Sequence, residues 1–421
     1  MSTKLFNDML NEHLAYDLLK PEIEEKSYLW KTLEHDESWT GDLIVPFQSA
    51  RASSVKAGGL VAVSDITSAK YVRGSIPDSA RPEINMSLVF NHKDIYNHEG
   101  KLKAKSFLGT FLPDQITQST DFFAKTLNHT FLNAKNLDKV TDVTNLASGK
   151  VGVDRIERFE IDMKLVLDPA GANVTAWVKT IDINASEIAL VTTKGGSTAA
   201  TLTGVAVGEL IYQDGFAAST VNNLKELLLP TTITSGGATG SANIYGQVKT
   251  ASPYTQALAF NCGSGTYAMT TSNVLEKIFD MFVKYRQLGK VGAAEVWVPF
   301  SILGHVMKQL EVAKGAYKMV EGSMKVSQYG FTEIEVFGPK GSLKIVAHQE
   351  MDKDFIVFVA KDAMKIHSNG GIYKHKDPNG NAYHTVRDEN DNYKYVVDLM
   401  YEGTIVVSKP YKCAIGYGIT I

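Results

Sequence analysis

The hydrophobic positions change period several times along the chain, and each change marks an element. Over 113–136, Ile116, Phe123, Leu127 and Phe131 return at steps of seven, four and four, with Phe122 and Leu132 widening the stripe. That spacing predicts an amphipathic helix, opened by Pro113 and Asp114 and on the order of 35 Å long. A second helix is predicted over 272–288, where Val274, Ile278, Met281, Phe282 and Tyr285 share a face and Gly289 ends it. A strand at 295–298 leads through Pro299 to a third helix at 302–310. Near the start, Leu10, Leu14, Leu18 and Leu19 make one face of a short helix that ends by Pro21.

Elsewhere the period is two. Phe159, Ile161, Met163, Leu165 and Leu167 alternate with Glu160, Asp162, Lys164 and others, and Val174, Ala176 and Val178 answer across the turn Asp168-Pro169-Ala170-Gly171. This predicts a β-rich insertion over 154–219. Strand-like runs at 43–47, 60–63 and 84–90 predict a long hairpin over about 41–105, too weakly cored to stand alone. The Gly/Ser/Thr-rich stretch 231–246 reads as a surface loop. The last hundred residues read as antiparallel strands with turns at Gly338-Pro339 and Gly380-Asn381.

With 421 residues and 44% hydrophobic content, the chain can bury a large core. Lys+Arg 43 against Asp+Glu 46 leaves a net charge of −3, which argues against a dedicated nucleic-acid reader. The balance is uneven locally. Residues 1–50 hold 4 basic against 10 acidic residues, a net of −6, and residues 51–105 hold 9 against 5, a net of +4. An acidic arm facing a basic hairpin of a neighbouring subunit would use this asymmetry; two ordinary solvated faces would also produce it. The N-terminus lacks an apolar signal core, and no apolar run approaches the ~20 residues that span a bilayer. Neither standard export nor membrane residence is expected. Cys262 and Cys413 have no partners at metal spacing and read as buried free thiols.

Motifs that carry chemistry are scarce. There is no phosphate loop, dinucleotide fingerprint, H-E-x-x-H or G-x-S-x-G elbow. Asp377, Asn379, Asn381 and Asp388 fall at calcium-loop offsets, but Ala382 stands where Gly is needed and Asp388 where a bidentate Glu is needed. A hairpin turn is the reading there. No catalytic residue, cofactor or metal is expected.

Three stretches carry a family resemblance: AEVWVPFSILGHVMKQL (294–310), FTEIEVFGP with LKIVAHQEM (331–351), and YVVDLMYEGTIVVSKPYKCAIGYGI (395–419). In these, and in the order of its elements, the chain resembles the Hong Kong 97-like major capsid proteins of tailed bacteriophages. The resemblance implies an α+β fold with an N-terminal arm (1–40), an E-loop hairpin with adjoining strands (41–110) and a peripheral domain with a long spine helix (111–153). The β-rich insertion (154–219), an axial domain (220–350) and returning strands (351–421) would follow. It implies a shell subunit rather than an enzyme, made in the host bacterial cytoplasm and resident in the virion. The subunit would associate with itself as hexamers and pentamers of an icosahedral head. Further implied partners are a portal protein, a decoration protein and packaged double-stranded DNA, contacted non-specifically. With only about forty residues before the hairpin, a separate scaffolding protein is implied as well.

Candidate assembly contacts are Arg51, Lys56, Lys70, Arg73 and Arg81 on the hairpin, and Glu22, Glu24, Glu25, Trp30 and Trp39 on the arm. Lys56 and Lys70 lie where some members cross-link, but the sequence identifies no Asn partner or catalytic Glu. The alternatives are a tail or decoration protein, an intracellular enzyme with a dispersed site, or a carbohydrate-binding insertion around Trp177.

Overall fold

The computed structural model describes residues 27–50, 70–91, 112–168, 174–216, 220–235, 237–288, 295–313, 324–326, 332–338, 341–374, 383–387 and 393–421. Their apolar side chains form three cores, each built by a different layering.

The first core lies between the long helix and a five-stranded sheet. The helix runs Leu112–Leu132, about 32 Å at 1.5 Å per residue. Ile116, Phe123, Leu127 and Phe131 are all buried, as the spacing predicts. The sheet is organised by the long strand Tyr393–Val407. Met364–Lys374 and His384–Arg387 pair with it antiparallel, and so does Glu83–Asn91. Alternate residues Tyr395, Val397, Leu399 and Tyr401 enter the core. The strand at 84–90 shows the expected alternation, with Ile84, Leu88 and Phe90 buried. It joins this sheet, however, and not the hairpin. Among the described residues the hairpin consists of Leu43–Ala50 and Lys70–Ile76, and the run at 60–63 lies outside them.

The second core belongs to a seven-stranded sheet. Helices Val274–Gln287 and Phe300–Ala313 bury Ile278, Phe282, Ile302 and Val306 against one face, which presents Val296, Val298, Ile345 and Phe358. The opposite face, with Trp297, Val346, Phe355 and Val357, joins the first core. Covering on both sides explains why Glu295–Pro299 and Phe355–Val359 are buried at every position. The C-terminal strands are not wholly antiparallel. Glu295–Pro299 runs parallel to Gly341–His348, and Leu258–Asn261 parallel to Ala414–Tyr417.

The third core fills a closed six-stranded barrel. Its strands are Asp138–Asp142, Lys150–Val153, Lys164–Asp168, Val174–Asp182, Glu187–Val191 and Leu210–Gln213. Val140, Val151, Leu165, Leu167, Val178, Ile188 and Ile211 pack inside it. Closure removes exposed strand edges. The barrel opens at Asp138, ahead of the 154 that periodicity suggests. The alternation at 159–167 is a strand only from Lys164. Before it, Asp162 takes φ 66° in a turn, which swings Ile161 out to 63% exposure while Phe159 and Met163 stay inside. A turn that returns to the same core imitates a strand's alternation.

The stretch 231–246 is no surface loop either. Two tight hairpins, Thr234–Ser235 with Ala238–Thr239 and Asn243–Ile244 with Gln247–Val248, wedge Ala238, Ile244 and Tyr245 into the first core.

Candidate assembly surfaces and the buried junction

Paired residues of an antiparallel hairpin share a face. In the hairpin, Val45, Phe47 and Ile76 turn inward. Phe47 stacks on Tyr245 with centroids 5.8 Å apart, and Ser75 donates its N–H to the Tyr245 carbonyl at 3.0 Å. Gly74 sits where a Cβ would lie 2.8 Å from the Phe47 ring and 2.9 Å from the Tyr245 oxygen, so only glycine fits. The other face carries the pairs Ile44/Ser75, Pro46/Arg73 and Gln48/Tyr71. Ile44 is 57% exposed and Tyr71 69% exposed, beside exposed Arg73 and Lys70. Among the described residues this amphipathic face is left uncovered.

The other candidate contacts are placed differently. Arg51, Lys56, Glu22, Glu24 and Glu25 lie outside the described residues. Arg81 reaches inward, pairing with Asp78 and with Glu402, and its guanidinium lies over the Trp39 ring at 5.4 Å. Glu402 also accepts from Tyr373 and Asn369. Trp30 and Trp39 are each 3% exposed. Trp30 packs edge-on to Tyr401 at 5.3 Å and stacks on Phe131 at 6.4 Å. The arm's aromatics, offered as candidate contacts, pack on the subunit itself. From Ser27 onward the chain belongs to its own core, and Glu34–Asp36 adds a parallel strand to the five-stranded sheet. The missed signal is the pattern Leu29, Trp30, Leu33, a helical apolar face next to the first strand.

The densest polar cluster sits where all three layers meet, around the turn 348–354. Arg158, 6% exposed, donates to the carbonyls of Leu137 (2.8 Å) and Glu350 (2.9 Å) and pairs with Asp352 at 2.9 Å. Lys225, fully buried on the short helix Leu224–Leu228, reaches Asp354 at 2.8 Å and Asp352 at 3.5 Å. Arg155 donates to the carbonyls of Met351 and Gln349. From the long helix's end, Asn133 accepts the Asp352 N–H at 2.8 Å and donates to Glu350 O. Asp138 caps the N–H groups of Asp154 and Arg155 at 2.9 and 2.7 Å.

Burial alone would raise the Asp352 carboxyl, but Arg158 and Lys225 hold it well below the usual carboxylate range. Burial pushes His129 down to about 3. Its geometry agrees: Nδ1 accepts from Asn133 at 2.9 Å and Nε2 donates to Asn136 O at 2.9 Å, as a neutral ring requires. With Arg158 and Lys225 both held by carboxylates, the cluster is a latch joining barrel, helix and sheet. It escapes sequence reading because its members lie about 190 residues apart. Its one trace is the acidic run Glu350, Asp352, Asp354 between two apolar strands.

Ser87, Asp398 and His384 also come together, on the outer face of the five-stranded sheet. The carboxylate lies between hydroxyl and imidazole (His384 Nδ1 to Asp398 Oδ2 3.3 Å), so no base addresses the hydroxyl. Trp177 is half-buried on the barrel wall, with Lys164 and Lys194 about 6 Å from its ring. Cys262 and Cys413 are free and buried, and burial pushes the Cys262 thiol up to about 12. Among the described residues no group of His, Cys, Asp and Glu is arranged to hold a metal, and no helix is long and apolar enough to cross a membrane.

The chain matches no known sequence family and no curated protein. Solved structures are informative. The capsid asymmetric unit of cyanophage A-1(L) superimposes with a TM-score of 0.50 at 12% identity, over 96% of this chain and 93% of that one. This chain shares its fold with a phage capsid subunit. Looser similarities are to a virus-like particle from Pyrococcus furiosus (TM-score 0.41, 8% identity, 94% and 95% covered) and to the capsid of Myoviridae phage XM1 (0.38, 9%, 93% and 91%). At 12% identity it is the α+β fold that is shared with the cyanophage subunit, over 96% of this chain.

Proposed function

We propose that the chain is the structural subunit of an icosahedral phage head, assembling as hexamers and pentamers around double-stranded DNA. The observation that carries this reading is the capsid fold spanning 96% of the chain. On this reading the hairpin 43–76 is the base of an E-loop, Leu112–Leu132 the spine helix, and the seven-stranded sheet with its two helices the axial domain. The barrel is an insertion. A separate scaffolding protein, a portal protein and a decoration protein would complete the particle, with DNA held non-specifically. Closed symmetry multiplies weak contacts, so no single interface has to be strong.

The uncovered hairpin face is then a subunit contact, with Ile44 and Tyr71 supplying apolar area and Lys70 and Arg73 steering. Substituting Ile44→Asp and Tyr71→Asp together tests this. Both side chains are exposed, so monomer stability should change by less than about 0.5 kcal/mol each, while shells disappear from velocity sedimentation profiles. Normal shells from the double variant would remove the hairpin from the interface. Assembly should also weaken from low to high salt, because exposed charge pairs are screened within about 10 Å at 0.1 M.

A further inference from the structure

A pocket of about 260 Å³ opens between the long helix and the barrel. Phe122 and Leu137 give it apolar area, Asp121, Glu157 and Glu160 line it with carboxylates, and Lys125, Arg158 and His129 line it as well. Its most buried carboxylate is Glu350, 8% exposed. Among the described residues that carboxylate makes no hydrogen bond and no ion pair; only the Glu350 backbone carbonyl is engaged, by Asn133 and Arg158. Burial raises the Glu350 carboxyl, and Glu157 adds to this. Arg158, Arg155 and Lys125 act in the other direction without prevailing. Arg155 is committed to Glu157, and Arg158 to Asp352 through its terminal nitrogens, although its Nε, at the pocket wall, has no hydrogen-bond partner.

A buried carboxylate without a partner is costly, and Glu350 lines a space far larger than the ~30 Å³ of a single water. The ligand it suits is a cation. The pocket's carboxylates do not converge as metal ligands must, and Phe122 and Leu137 add apolar area, so the complementary cation is elongated and partly aliphatic. We propose that this pocket binds a primary ammonium on an alkyl chain, with the nitrogen on Glu350 and the methylenes on Phe122 and Leu137. The sources of that chemistry are a free di- or polyamine and a lysine side chain of another protein.

Calorimetric titration of the full-length protein with cadaverine, spermidine, Nα-acetyl-lysine amide and magnesium chloride tests it. Wild type should bind at least one of the amines and bind magnesium far more weakly. Preference for the free amines assigns a small-molecule source, and preference for the lysine amide a protein one. Glu350→Gln should weaken binding about tenfold to a hundredfold, the loss of a charge-assisted hydrogen bond. It should fold normally, because it removes an unpartnered charge and keeps the backbone contacts. Lys125→Ala, which removes a competing ammonium at the mouth, should tighten binding, an effect that a purely structural Glu350 would not produce. Affinity should rise with pH as Glu350 ionises, in a range where His129 stays neutral. No binding by any amine, equal binding by Glu350→Gln, or equal binding of magnesium would overturn the proposal.

Discussion

Asp352→Asn keeps the shape of the junction and removes the charge that holds two buried cations. Arg158 would keep its bonds to the Leu137 and Glu350 carbonyls, and Lys225 would keep Asp354. Breaking a buried pair from one side costs about 3–5 kcal/mol. The retained partners place this case at the lower end, about 3 kcal/mol. Arg158 at 6% exposure and Lys225 at 0% leave little room for solvent to screen the loss. The assay is urea unfolding followed by tryptophan fluorescence at pH 7, comparing midpoints at equal slope. A companion variant, Arg158→Met with Asp352→Leu, replaces the pair by apolar groups but also strips the Leu137 carbonyl of its donor, so it should recover only part of the loss. The pH dependence has a definite sign. Asp352 is held below its unfolded value of about 3.9, so its contribution is complete above that pH and fades as the pH falls further. Wild type and Asp352→Asn should therefore converge only in strong acid. A loss under about 1 kcal/mol at pH 7, or a gap that closes well above pH 4, would refute the latch.

The two buried histidines predict a second acid sensitivity. His129 and His348 are both pushed down to about 3 by burial, from 6.5. The stability they confer is present above 6.5 and lost as the pH falls toward 3, at roughly 1.4 kcal/mol per pH unit each. His348→Phe, filling the same space beside Trp297, should flatten that slope in urea midpoints measured from pH 7 to 5. Trp30→Ala should cost the isolated subunit about 3–5 kcal/mol, visible as a lowered unfolding midpoint; an unchanged monomer would mean that the indole serves a neighbour instead.

Legibility followed the range of the interactions. The long helix and the Val274–Gln287 helix were readable because a helical face repeats within a few residues. The strand at 84–90 was readable as a strand, but its partner is more than 300 residues away, and nothing local says that it leaves the hairpin. Asp162 shows the converse failure, in which a local pattern is satisfied by a turn. The mixed direction of the seven-stranded sheet was hidden because strands buried on both faces carry no alternation. Of the candidate contacts, exposure on the described hairpin keeps Lys70 and Arg73 available, whereas Arg81, Trp30 and Trp39 are spent on the subunit itself. The latch was invisible because each of its side chains, taken singly, reads as a solvated charge.

The central claim is self-assembly into a closed shell. Electron microscopy of the purified full-length protein, with velocity sedimentation on the same sample across concentration and with the proposed scaffolding protein added, addresses it most directly. The account predicts shells, or five- and six-fold rings that become shells when scaffold is present. A sharp monomeric species that persists at every concentration, with and without scaffold, would contradict it.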